Sequence, residues 1–191
     1  MGKIRRAQRF TELPEGRRYL GIVADLRAGA LTDLTVAIIG GALADMVLAH
    51  VLEAYRVREA QPKKKRALSR IPDKLAKRID LAAHLGIYGR WIHEDLHAIR
   101  EIRNAAAHGV EVFDFDDASV SVHTSKMHFA GPRVGITGRP TPATSRERFV
   151  QSVELVTQLL LTDVSYRAHG FRTERLMHAG GPALLQVNGA Q

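Results

Sequence analysis

The 191-residue chain contains no cysteine. Disulfides and thiolate metal sites are therefore excluded, although the absence fits any compartment. Aromatic residues are scarce at 6%, while alanine and leucine recur in long runs, so helices are expected. The basic start MGKIRRAQRF is followed by no apolar stretch, which argues against a secretory signal. The longest apolar run, residues 36–44, is stopped by Asp45 and is too short to span a bilayer. The expectation is a cytoplasmic protein without a membrane partner. A phosphate-binding glycine loop, a nucleophile elbow, zinc-finger spacing and a convincing helix-turn-helix are also missing.

What remains is an ordinary globular balance of 45% hydrophobic and 25% charged residues, enough for one core but not comfortably for two domains. The net charge of +8 is unevenly placed. Residues 1–78 hold 17 Lys/Arg against 8 Asp/Glu, and residues 79–191 hold 11 against 12. Such asymmetry offers the N-terminal part to a polyanion such as RNA or DNA, or simply keeps the protein soluble.

Along the chain, residues 1–13 read as a flexible basic arm. Pro14 can open a helix to about residue 28. Thr32 or Asp33 can cap a long second helix to about residue 56, apolar nearly all round and carrying the pair Gly40-Gly41, where close helix packing is expected. Residues 59–69 form a polar break with Lys63, Lys64, Lys65 and Arg66, a candidate nucleic-acid-binding run or a solvated linker. A third helix is predicted from Pro72 to about Leu85, ended by Gly86. After a fourth helix, residues 110–142 show partial alternation, as in Ser119-Val120-Ser121-Val122, and read as a small β-hairpin or ordered loop. Thr144 and Glu147 form a capping box for a fifth helix reaching about residue 169, and residues 171–191 read as a tail. The expected architecture is all-α: a single bundle of about five helices over residues 14–170.

The fourth helix, RWIHEDLHAIREIRNAAAH over residues 90–108, carries the chemistry. At about 100° per residue Ile92, Leu96, Ile99 and Ala106 make one apolar stripe with Ile102 beside it. Arg103 falls within that stripe, where a guanidinium is costly to bury without an acceptor. His108 follows at the helix end, ahead of Gly109 as a C-cap. An arginine can hold a phosphate and a histidine can shuttle a proton near neutrality. The two point about 140° apart on a continuous helix, so they converge only if the helix ends early or two copies meet across a two-fold axis. The plainer reading is a pair of side chains serving the helix C-terminus.

The same helix contains a literal HExxH string, His93, Glu94 and His97, which puts two imidazoles on one face with a carboxylate beside them. The positions where a metzincin extension would place its glycine and third histidine hold Arg100 and Arg103. Glu111, Glu147 and Glu154 lie downstream in no recognisable motif. Solvated helix-face histidines are therefore expected, with no metal and no cofactor, and a zinc hydrolase through His93, Glu94 and His97 is the least favoured reading. His93, His97, Arg100, Asn104 and His108 nevertheless share one side of the helix within about 80°, a ridge suited to an anion or simply the wet side of an amphipathic helix.

Leu85-Gly86-Ile87, Ile99-Arg100-Glu101-Ile102-Arg103-Asn104, Ala107-His108 and Phe113-Asp114 together resemble the mannitol operon repressor family, whose members carry an IREIRN-x-x-AH core after a helix ending in LG. The alanine- and leucine-rich second helix is similar as well, so the resemblance covers about residues 30–116. The core also fits the R-x4-6-H signature of HEPN domains, small helical bundles that often dimerise and include metal-independent endoribonucleases. The resemblance implies a dimeric negative regulator of gene expression that binds nucleic acid or a regulatory or antitoxin protein. Its alternative is a metal-independent endoribonuclease of toxin or defence type, with Arg103 on the scissile phosphate, His108 moving a proton and Asn104 orienting one of them. Lys63, Lys64, Lys65, Arg66 and Arg100 would contact nucleic acid. Whether the chain is an enzyme stays open between these two.

Overall fold

A computed structural model describes residues 14–58, 62–109, 113–130 and 141–168. The basic arm and the tail expected over 171–191 lie outside them. Among the described residues seven helices follow in order: α1 (Pro14–Arg27), α2 (Asp33–Arg58), α3 (Pro62–Ala67), α4 (Leu75–His84), α5 (Arg90–His108), α6 (Ala118–Thr124) and α7 (Ser145–Ala168). Among the described residues there is no strand, and the architecture is an all-α bundle. The five expected helices are α1, α2, α4, α5 and α7; α3 and α6 are short additions.

Three differences from the expectation follow. Residues 118–124, read as β-like from alternating Ser and Val, are the helix α6. Val120 and Thr124, four apart, are its buried positions, so a helical period decides the outcome over two residues' β-branching. The polar break around Lys63 to Arg66 contains the short helix α3, with Lys63 and Arg66 exposed. The third expected helix also starts at Leu75 rather than Pro72.

α2 is central, packing against α1, α4, α5 and α7. Its glycine pair makes this geometry possible. A methyl on Gly40 would lie 2.6 Å from Phe149 Cε1 of α7, and one on Gly41 would lie 2.5 Å from Arg103 Cγ of α5. The two glycines thus admit a helix on either side, as small residues at close crossings do. The apolar run that Asp45 interrupts continues as helix, and Asp33–Val57 is long and apolar enough to cross a membrane. In the bundle this helix is the core element: Val36, Leu43, Val47, Leu48, Val51 and Leu52 are buried.

Local signals act as read. Thr32 Oγ1 accepts the Thr35 amide at 3.3 Å, so Thr32 is the cap of α2. Asp33 instead accepts the Phe115 amide at 3.2 Å and Arg146 at 2.7 Å, tying the segment before α6 and the start of α7 to α2. In the capping box, Glu147 N donates to Thr144 Oγ1 at 3.1 Å and Thr144 N donates back to Glu147 at 3.2 Å. Gly86 takes φ +67°, and Ile87 N reaches Ala82 O at 3.0 Å, a glycine-ended helix with Ile87 turned into the core. Gly109 does not use that freedom: it leaves α5 in extended backbone at φ −64°.

Candidate functional site

α5 buries Ile92, Leu96, Ile99, Ile102 and Ala106, the stripe read from the sequence, together with Asp95. Asp95 and Arg103 occupy equivalent places on that stripe, three and four residues from its apolar members. Their fates differ because their lengths differ. The Arg103 stem lies on Gly41 of α2 and the side chain ends exposed, a long cation reaching water along an apolar surface. Arg103 is therefore not the ion buried in the seam, which corrects the expectation. Asp95 is too short to escape and is fully buried.

Its carboxylate is satisfied from three directions. Oδ1 accepts the His128 amide at 2.7 Å, and Oδ2 accepts the Phe129 amide at 3.1 Å and the Ser152 hydroxyl at 2.6 Å. Burial raises the Asp95 pKa, opposed by these donors. One buried acid thus fastens the segment after α6 to α5 and α7.

At the C-terminal end of α5, His108 is exposed and Asn104 half-buried. Among the described residues Arg103, Asn104 and His108 make no side-chain hydrogen bond or ion pair. Both extreme members of the triad therefore face solvent on the last turns of one uninterrupted helix. Lys63 and Arg66 are exposed on α3, whereas the side chains of Lys64 and Lys65 lie outside the described residues. Arg100 is not presented outward in the same way. It is half-buried, pairs with Glu101, and its Nε is buried without a partner.

The N-terminal half of the ridge is folded in rather than left wet. His93 and His97 pack edge-to-face with ring centroids 4.5 Å apart. They line a cavity of about 680 Å³ with Glu94 of α5, His123 and Lys126 near α6, and Arg148 of α7. His93 and His97 are half-buried, not the fully solvated helix-face histidines expected. Glu94 is held at one oxygen by Arg90 at 2.6 Å and at the other by His128 at 2.5 Å. The Arg90 hydrogen bond, more than His128, keeps the Glu94 pKa below the usual carboxylate range. His128 in turn stacks on Trp91 with the rings 5.3 Å apart.

On the other flank, α4 brings Asp80 to the same two histidines. Asp80 Oδ1 is 3.6 Å from His97 Nε2, and one ligand atom each from Asp80, His93 and His97 lie within 4.8 Å of one another. His93 Nδ1 is buried with no hydrogen-bond partner. Burial first, then His93 and Arg100, lower the His97 pKa. Of the downstream carboxylates, Glu111 lies outside the described residues, and the one that reaches the two histidines is upstream, on another helix. Glu147 instead caps α7, and Glu154 pairs with Arg27 at 2.5 Å. No spacing rule points to Asp80, because the turn between α4 and α5 sets its position. Asp95, by contrast, was legible from the same helical count that singled out Arg103.

Comparison with family models, with characterised proteins and with solved structures finds no match to this chain.

Proposed function

We propose that the protein is a helical regulator of the mannitol-repressor type, acting in the cytoplasm as a dimer and lowering gene expression by binding nucleic acid. The observation that carries this reading is the presentation of Arg103 and His108. Both are exposed at the end of α5, whose apolar face, from Ile92 to Ala106, is bedded in the core. A guanidinium whose stem is braced on a neighbouring helix is well suited to a phosphate. The exposed Lys63 and Arg66 extend the cationic surface available to a polyanion.

The test is binding of labelled RNA and duplex DNA to the purified chain at low salt. Binding should fall with rising salt and weaken on Arg103→Ala. If neither nucleic acid binds, direct contact is excluded and the regulator must act through a protein partner.

A second reading, metal-independent RNA cleavage, depends on a second copy, because Arg103 and His108 diverge on one continuous helix and do not meet within one chain. Across a two-fold axis at this helix end, one protomer's arginine would hold the phosphate while its partner's histidine takes the 2′-hydroxyl proton and returns a proton to the leaving 5′-oxygen. Cleavage should then persist in EDTA and vanish in Arg103→Ala and His108→Ala; cleavage surviving both substitutions refutes it.

A further inference from the structure

We infer that Asp80, His93 and His97 form a binding site for one divalent cation of the zinc class. Two features join here independently. The i, i+4 spacing of His93 and His97 places both imidazoles on one face of α5, the arrangement by which a helix offers two nitrogen ligands. The packing of α4 on α5 then adds an oxygen ligand, with Asp80 Oδ1 3.6 Å from His97 Nε2. All three ligand atoms lie within 4.8 Å of one another. Ligands on a tetrahedral ion with bonds of about 2.0 Å are roughly 3.3 Å apart, so closure needs only a small side-chain rotation. Asp80 can supply it, because its side chain is 66% exposed.

The state of the two histidines fits ligation. His93 Nδ1 is buried and makes no hydrogen bond, an unmet polar atom of the kind that needs a reason. His97 Nε2 faces Asp80 Oδ1 at 3.6 Å, beyond hydrogen-bond range, so this nitrogen and the carboxylate converge without a direct hydrogen bond.

Two imidazoles and one carboxylate suit a borderline cation such as Zn²⁺ rather than Ca²⁺ or Mg²⁺, which take oxygen ligands. The exposure of Asp80 leaves the remaining coordination position to water, the pattern of three protein ligands and an open place. Glu94 does not complete a hydrolytic motif, since both of its oxygens are engaged by Arg90 and His128. The site is therefore a cation site that clasps α4 to α5, separate from Arg103 and His108.

The test is titration of the chelator-stripped full chain with Zn²⁺ by calorimetry, and with Co²⁺ followed by visible absorption. One equivalent should bind, Co²⁺ should give the absorption of a four-coordinate nitrogen/oxygen site, and saturating Zn²⁺ should raise the melting temperature by about 5–10 °C. Affinity should fall at least tenfold in Asp80→Asn and be lost in His97→Ala, while His108→Ala binds as wild type. Asp80→Asn is the decisive variant because an exposed side chain can be changed without unfolding the bundle. Absence of a bound equivalent, or binding undiminished in Asp80→Asn and His97→Ala, overturns the site.

Discussion

Ser152 donates a 2.6 Å hydrogen bond to Asp95, joining α7 to α5 at a point where both residues are fully buried. The same carboxylate takes the amides of His128 and Phe129, so three segments distant in sequence depend on it. Removing the acid strands two backbone N–H groups and a hydroxyl, whereas removing the hydroxyl leaves the carboxylate two donors. Asp95→Ala should therefore cost about 3 kcal/mol and Ser152→Ala about 1 kcal/mol in urea unfolding. Equal costs would mean that the amides find other acceptors and that Asp95 does not anchor the segment.

A second prediction concerns Gly40. Alanine is the better helix former by about 1 kcal/mol, so an uncrowded Gly40→Ala would stabilise α2. Here the added methyl would meet Phe149 at 2.6 and 2.8 Å and Val153 at 3.3 Å, and Phe149 is fully buried. Overpacking should win, with a net loss of about 1–2 kcal/mol. A rise in the denaturation midpoint would show that α7 yields freely.

What could be read in advance, and what could not, follows the range of each interaction. The stripe from Ile92 to Ala106, the Thr144/Glu147 cap, the Gly86 stop and the crowding at Gly40-Gly41 are properties of neighbouring residues or of a regular period, and each is visible in the chain. Arg103 and Asp95 show where that logic ends: a helical count places both on the seam, and only the presence of Gly41 beneath one and Ser152 beside the other decides which is buried. α6 misleads because four residues of alternating Ser and Val satisfy two periods at once. Asp80 is illegible for a stronger reason, since the turn from α4 into α5 sets its distance to His97 and no motif spans that turn.

Alkaline pH provides a third test. Tyr88 is buried and donates its hydroxyl to Ile79 O at 2.7 Å; burial, with Asp80 as the lesser cause, raises its pKa. The folded chain thus keeps a proton that the unfolded chain releases above about pH 10. This contribution to stability is present below that value and is lost as pH climbs from there toward the raised folded value, at up to about 1.4 kcal/mol per pH unit. Tyr88→Phe should lower stability by about 1 kcal/mol at neutral pH and show a shallower alkaline decline than wild type. Parallel declines in the two proteins would exclude Tyr88 as a source of the pH dependence.

The contact between Gly41 and Arg103 connects packing to the proposed binding surface. A methyl at Gly41 would lie 2.5 Å from Arg103 Cγ and 2.6 Å from its Cβ. The near end of the side chain is involved, so a swing of the guanidinium alone does not relieve it, and α2 and α5 must shift or Arg103 must change rotamer. Gly41→Ala should cost about 1–2 kcal/mol after the gain in helix propensity and should weaken RNA binding, because the guanidinium loses its bracing. Arg103→Ala removes Cγ, the closest atom, so adding it to Gly41→Ala relieves part of the clash. The double variant should then be less destabilised than the two singles summed, with a coupling of about 0.5–1.5 kcal/mol. Strictly additive costs would place the Gly41 effect elsewhere in the α2–α5 crossing and would detach Arg103's presentation from the glycine beneath it.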